Sequence, residues 1–350
     1  MNLQTRYRRA GGAGAVRMGV WMALVTVLGV APAHAQLIPS FGSDRAGTAG
    51  FQFLKIPVDG RAAALGQTVV ANAADASALY WNPALAAQAD GPQLGLHHTA
   101  YFADVALEYV GASVPLGRFG LTLGASLQAL NSGEMDVTTE FEPFGTGETF
   151  RHVNVAAGLT VAQTLTDLFS YGVTARFVRE SVADVATNTV VFDVGVFYRV
   201  GTTGAQLGVA IRNFGPDGTP TGTLERITLD DGVVVEDDFE SFTPPTTFAL
   251  GLTYALLREN ARNDLVVSGQ LTNPNDNAET FNVGAEYVWN DLLALRTGYR
   301  FGIDEADLPS FGLGLSVPGL PAGLGARLDY GFSRLERLGT VHRVGLNLNL

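Results

Sequence analysis

The chain contains no cysteine. A disulfide framework, a thiolate nucleophile, a Cys-ligated metal and a lipid-modified N-terminal cysteine are thereby excluded. It contains one lysine, Lys55, among 22 basic residues. The rest are arginines, whose planar multi-donor heads suit fixed ion-pair networks better than a generally solvated surface. Motifs of chemistry are missing too. There is no Gly-x-Ser-x-Gly elbow, no zinc-type His/Glu cluster and no convincing carboxylate pair, and Gly312-Leu313-Gly314 has no helix after it to make a nucleotide loop. The neighbours His97 and His98 would face opposite sides of a strand and could not chelate one ion together. Catalysis has no support, and no cofactor or metal is implied.

Beyond residue 35 the chain also lacks any apolar run long enough for a membrane helix, although 47% of its residues are apolar and only 16% charged. The first 35 residues read as a removable address. Arg6, Arg8, Arg9 and Arg17 precede an apolar run from Met18 to Val30, and Ala33-His34-Ala35 offers a small-x-small cleavage pattern before Gln36. With those four arginines gone, 18 basic residues face 34 acidic ones, a net charge of −16. Such acidity excludes nucleic acid as a partner, because phosphates repel it.

What is present is short alternating apolar segments. In Thr189–Val200, residues Val190, Phe192, Val194, Val196 and Tyr198 fall on one face, with Asp193, Gly195 and Arg199 on the other. Leu293, Leu295, Tyr299 and Phe301 oppose Arg296, Gly298 and Arg300 in the same way. In hydrocarbon only helices and closed barrels satisfy their own backbone hydrogen bonds. The expected fold is therefore an all-β transmembrane outer-membrane barrel over residues 92–350, with about fourteen antiparallel strands. Expected strands lie near 92–102, 105–115, 118–131, 150–164, 169–180, 189–200, 205–214, 244–257, 263–272, 279–289, 292–302, 310–317, 323–332 and 340–350. Short turns such as Asn290-Asp291 alternate with acidic connections over 131–149, 215–243 and 302–309, which places the latter outside the cell. Those acidic loops, including Asn275-Asp276-Asn277 and Glu236-Asp237-Asp238, offer oxygen ligands to a divalent cation or a simply solvated surface. Tyr171, Tyr198, Tyr287, Trp289, Tyr299 and Tyr330 read as interface-girdle or lipid-facing aromatics rather than a cofactor box.

Residues 36–50 read as an extension and 51–91 as a different element. Alanine-rich stretches at 61–65 and 73–80 favour short helices. Asp75 or Ser77 suits a cap for the second, and Asn82-Pro83 suits its end. A segment of this size ahead of a closed barrel is expected in the lumen, as a hatch.

Ala74-Asp75-Ala76-Ser77-Ala78-Leu79-Tyr80-Trp81-Asn82-Pro83-Ala84 resembles the plug signature of FadL-like hydrophobic-compound transporters. Phe53-Leu54-Lys55-Ile56 with Gly60-Arg61-Ala62-Ala63 narrows the resemblance to the PorV/PorQ family. Ile211-Arg212-Asn213-Phe214-Gly215, Gly284-Ala285-Glu286-Tyr287 and Leu295-Arg296-Thr297-Gly298-Tyr299-Arg300 extend it. The resemblance implies a fourteen-stranded barrel with an N-terminal hatch. It also implies one of two roles: an accessory or shuttle in type IX protein secretion and cell-surface attachment, or passage of hydrophobic small molecules. Partners so implied are outer-membrane lipid, secreted proteins or secretion-machinery subunits, and a hydrophobic small molecule. One departure is the ending Asn347-Leu348-Asn349-Leu350, where such barrels usually close on an aromatic residue.

The candidate site residues fall in two groups. Arg61, Asp75, Ser77, Tyr80, Trp81, Asn82 and Pro83 belong to the hatch. Arg176, Asp193, Arg199, Arg212, Glu286, Arg296, Arg300, Arg327, Asp329 and Arg343 fall on inward strand faces. The functional reading of the arginines is a basic lumen that binds an anionic group such as a carboxylate. The plainer reading is mutual pairing, since an unpaired buried charge costs several kcal/mol. Arg61 is expected to meet either Glu286 or Asp329, and Trp81 to act as an apolar wedge.

Overall fold

The structure, a computed structural model, describes residues 45–73, 75–117, 119–139, 142–228, 232–257, 263–303, 308–317 and 324–350. The expected signal segment 1–35 and residues 36–44 of the extension lie outside the described residues.

Fourteen antiparallel strands make up the wall: β1 Gln93–Ala100, β2 Ala106–Pro115, β3 Leu121–Asn131, β4 His152–Thr166, β5 Phe169–Val182, β6 Val185–Arg199, β7 Ala205–Phe214, β8 Thr247–Ala255, β9 Asn263–Pro274, β10 Thr280–Trp289, β11 Leu293–Phe301, β12 Ser310–Val317, β13 Gly325–Leu335 and β14 Gly339–Asn349. Each strand pairs with its sequence neighbours, and β1 closes onto β14 with Gln93 opposite Asn349. Closure leaves no edge strand, which is the condition for a sheet to span hydrocarbon.

Strand alternation sorts the side chains. In β6, Val190, Phe192, Val194 and Tyr198 are 40–49% exposed on the outside, while Thr189, Asp193 and Gly195 are buried on the inside. β6 begins at Val185, four residues before its expected start. It joins β5 through a two-residue turn, Ala183-Asp184, with Ala183 at φ 50°. Pairing persists because Thr187 and Thr189 continue the inward polar face, a signal that turn-like Asn188 obscures. The connections at that end are accordingly of mixed length. Residues 101–105, 275–279 and 336–338 are short as well, so the length asymmetry rests on 132–151, 215–246 and 302–309. Two of these carry strand pairs of their own, Met135–Asp136 with Thr149–Phe150 and Leu224–Thr228 with Gly232–Glu236.

The buried core lies inside the wall. Phe51, Leu54, Val58, Leu65, Leu79, Tyr80 and Trp81 are each at most 2% exposed, and all come from the segment ahead of β1. This inner segment runs through a 3-10 turn Gln52–Lys55, helix α1 Gly60–Ala64, helix α2 Ala78–Trp81 and a 3-10 turn Pro83–Gln88. α2 starts five residues later than its expected start at 73, because Asp75 Oδ1 accepts the backbone N–H of Ser77 and folds residues 75–77 into a turn first. Proline at the first position of the final 3-10 turn has no N–H to lose there.

Candidate functional site

The inner segment sits against the wall at van der Waals distance because the wall has glycines where it arrives. Inward glycines face each other across strand pairs, Gly172 with Gly195, Gly208 with Gly251, Gly284 with Gly298 and Gly312 with Gly331. A Cβ added at Gly298 would lie 2.1 Å from the Leu65 carbonyl carbon, and one at Gly331 would lie 2.2 Å from the Gly60 carbonyl oxygen. Only a hydrogen side chain permits backbone to approach backbone so closely.

On the β10–β14 side an ionic chain leaves the inner segment and returns to it. Arg61 grips Glu286 with two nitrogens, Nε at 2.9 Å and Nη2 at 3.2 Å, and its Nη1 donates to the Asn72 carbonyl at 3.1 Å. Glu286 Oε2 also accepts from Arg296 Nε at 2.6 Å, and Arg296 Nη1 donates to Asp329 Oδ1 at 2.7 Å. Asp329 Oδ2 accepts from Arg327 Nε at 2.7 Å and from Asn347 Nδ2 at 3.1 Å. Arg327 Nη2 then donates to Asp75 Oδ2, back in the inner segment. Three guanidiniums meet three carboxylates, so the chain is neutral as a whole. Of the two partners open to Arg61 in the sequence, the geometry selects Glu286.

On the β5–β8 side the contacts are mostly neutral. Asn82 is fully buried; its Nδ2 donates to the carbonyls of Val70 at 2.7 Å and Val196 at 3.1 Å, while its Oδ1 accepts from Ala84 N at 3.1 Å. Tyr80 donates its hydroxyl to the Leu54 and Ile56 carbonyls at 2.8 and 3.0 Å. The Arg212 guanidinium lies over both the Tyr80 and Trp81 rings, 4.8 and 5.0 Å from their centres. Cation–π attraction strengthens once such a group is desolvated. Behind it, Arg176 pairs with Asp193 at 2.5 Å and donates to Asn213 Oδ1 at 3.1 Å, and Asp193 accepts Asn213 N at 2.7 Å.

The remaining candidates stand apart from these clusters. Arg199 donates to Gln88 Oε1 at 3.2 Å, near the end of the inner segment. Arg343 donates to the Pro57 carbonyl at 3.2 Å and to Ser333 Oγ at 3.0 Å. Arg300 borders a small cavity of about 80 Å³ together with Pro57, Gln67 and Arg343. Ser77 is buried, but its hydroxyl does not cap α2.

Two participants are not among the sequence-derived candidates. Asp59 caps α1 by accepting Ala62 N at 2.7 Å, and with its other oxygen it accepts Trp81 Nε1 at 2.7 Å. Trp81 is thus a hydrogen-bonded clamp as well as a wedge. The position of Asp59 before Gly60 and an alanine run is an N-cap signal; its link to Trp81 exists only in three dimensions. Burial, with the nearby Asp75 charge, pushes the Asp59 carboxyl up. Burial acts on Asp75 in the same sense and is the largest single influence, but Arg327 together with His97, Ser77 and Arg61 outweighs it and holds Asp75 well below the usual carboxylate range. The second is Lys55, whose Nζ pairs with Asp276 at 2.7 Å, with Gln52 Nε2 on the same carboxylate at 2.6 Å. Asp276, read from sequence as a cation ligand or a solvated charge, is instead 2% exposed and tied to the inner segment.

At the turn-rich end of the barrel, a cavity of about 680 Å³ lies beneath the inner segment, bordered by Leu85, Phe197 and Val266 together with Arg199, Asn72 and Gln206.

Residues 41–206 match the family model described as type IX secretion system protein PorV. No curated protein sequence matches the chain. Among solved structures, the P. putida toluene transporter TodX is 16% identical, with 83% of this chain and 96% of that one covered at a TM-score of 0.59. The Ralstonia pickettii toluene transporter TbuX is 14% identical, with 83% and 96% covered at 0.54. A deltaS2 mutant of the TodX monoaromatic hydrocarbon channel is 17% identical, with 83% and 98% covered at 0.57. At these identities the likeness is one of fold.

Proposed function

We propose that the chain is a PorV-type outer-membrane β-barrel, supported by the PorV family match over residues 41–206 and by the fold it shares with outer-membrane channels, and that it serves protein secretion by holding partners rather than by conducting. The inner segment is the plug. The observation that carries this reading is the closed, charge-balanced chain from Arg61 through Glu286, Arg296, Asp329 and Arg327 to Asp75. The three arginines of this chain are neutralised by carboxylates of wall and plug and offer no free guanidinium to an anionic solute, and breaking one link costs about 3–5 kcal/mol. Partner binding then falls to the outer connections, 132–151 and 215–246, which are long enough to carry strand pairs. The partners are secreted proteins or secretion-machinery subunits.

The test replaces both connections with short turns and follows secreted proteins at the cell surface. Cross-linking that recovers cargo or machinery with the full-length barrel, and loses it with the trimmed one, supports the reading. Unchanged surface attachment by a trimmed barrel that still shows heat-modifiable mobility ends it.

A second reading rests on the 680 Å³ cavity beneath the plug, whose border includes apolar and polar groups and suits a hydrophobic or amphipathic small molecule. The proteins that share the fold are a toluene transporter and a monoaromatic hydrocarbon channel. Toluene uptake by cells expressing this barrel, abolished by filling the cavity through Ala71→Phe, would favour transport over secretion.

A further inference from the structure

The outer face of the wall is hollowed over β9–β13. Along most strands the outward residues are large, but at the centre of β10 and β11 they are Ala285 and Thr297, paired in register. The flanking cross-strand rows are bulky: Tyr287, Leu295, Leu313 and Tyr330 on one side, Val283 and Tyr299 on the other. Two apolar hollows, of about 570 and 450 Å³, meet over these two small residues. They form one trough that crosses the strands from Val267 on β9 to Phe311 and Phe332 on β12 and β13. At roughly 4.8 Å per strand its length is about 19 Å. That exceeds the roughly 15 Å of hydrocarbon in one leaflet, as an acyl chain lying obliquely requires.

One end of the trough has a charge. Arg334 lies two residues beyond Phe332 on β13, so strand alternation turns it to the same outward face, and it is exposed. Its guanidinium makes no ion pair or side-chain hydrogen bond among the described residues. Other outward polar groups at this end of the wall are engaged: Arg179 with Asn188 Oδ1 at 3.3 Å, His98 with Glu108 at 2.6 Å, and His342 with the Tyr330 hydroxyl at 2.7 Å. A groove one chain wide that ends on a single uncompensated cation has the shape of an amphiphile with the opposite charge.

We propose that the outer face of β9–β13 holds one anionic membrane lipid, with an acyl chain in the trough over Ala285 and Thr297 and its phosphate on Arg334. Charge complementarity selects the headgroup, and the bulky flanking rows fix the chain. The site lies on the outer surface of the wall, so it is independent of the plug and of the secretion reading.

The experiment reconstitutes the full-length barrel in vesicles of equal phosphatidylglycerol and phosphatidylcholine, extracts it with mild detergent and counts retained lipids by native mass spectrometry. Wild type is expected to retain phosphatidylglycerol over phosphatidylcholine by about fivefold, the factor that corresponds to one surface arginine. Arg334→Gln should bring that ratio close to one while leaving the chain seated. Thr297→Leu, which fills the trough on a lipid-facing position that tolerates apolar side chains, should lower retention of both lipids. Arg179→Gln should change neither. Heat-modifiable mobility confirms that each variant is folded. Equal retention of the two lipids by wild type, an unchanged ratio in Arg334→Gln, or undiminished retention in Thr297→Leu would each overturn the assignment.

Discussion

The two halves of the inner wall hold the same segment by different physics. Along β10–β14, Arg61 and Asp75 enter a chain of buried ion pairs. Along β5–β8, the segment is held by amide bonds from Asn82 and a guanidinium over two rings, while glycines let backbone touch backbone on both sides. The ionic half is specific: positive and negative groups alternate along the chain, and removing one leaves a neighbouring charge short of a partner. The neutral half is tolerant in chemistry but strict in volume. Together they hold the inner segment by charge on one side and by volume on the other.

The largest expected effect breaks the ionic half. Glu286→Gln leaves Arg61 and Arg296 short of one counter-charge, at a cost of about 3–5 kcal/mol to plug seating. Proteinase digestion of detergent-solubilised barrel, followed across a urea series, should show residues 51–89 cut at much lower urea while the wall stays heat-modifiable. The comparison sharpens with Arg61→Met added to Glu286→Gln. Two arginines then face two carboxylates, Arg296 and Arg327 with Asp329 and Asp75, so the double variant should resist better than the single one. If the double variant is as weak as the sum of its parts, charge balance is not what holds this side.

A smaller effect breaks the neutral half. Gly208 on β7 faces the carbonyl of Val70, where an added Cβ would lie 2.1 Å from the oxygen. Gly208→Val should cost about 1–3 kcal/mol by overpacking. Because the obstruction is steric, raising the salt concentration should leave this loss unchanged. A Gly208→Val barrel with wild-type protection of residues 51–89 would show that the wall, not the plug, gives way.

The difference between the halves is also why one was easier to read in the sequence than the other. The strand faces of Arg296, Arg300, Arg327 and Asp329 follow from period-two alternation alone, and opposite charges on one face invite pairing. The inward glycines follow the same alternation, yet a missing side chain says nothing about what fills its place. Only the register, which pairs Gly172 with Gly195 and Gly208 with Gly251, reveals them as a seat. Asn82 was legible as the end of a helix, because its cap is local. Its bond to Val196, 114 residues away, was not. Likewise Thr187 and Thr189 carry β6 up to its tight turn through pairing with β5, a long-range effect that overrode the turn-like composition around Asn188.

The smallest effect tests whether the plug is also tethered at its start. Lys55, the lone lysine, reaches Asp276 in the connection between β9 and β10. The lysine side chain is 26% exposed, so water and salt screen this pair and its worth is about 0.2–1 kcal/mol. Asp276 keeps Gln52 as a second donor, which cushions the loss further. Lys55→Met should therefore shift the urea midpoint of plug protection only slightly, and the shift should vanish in high salt. Asp276→Asn strips the counter-charge from Lys55 and weakens the acceptor for Gln52, so it should cost more than Lys55→Met. Equal losses in the two variants would mean that Gln52 contributes nothing. A Lys55→Met loss as large as that of Glu286→Gln would erase the ranking of buried over screened pairs on which the comparison of the two halves depends.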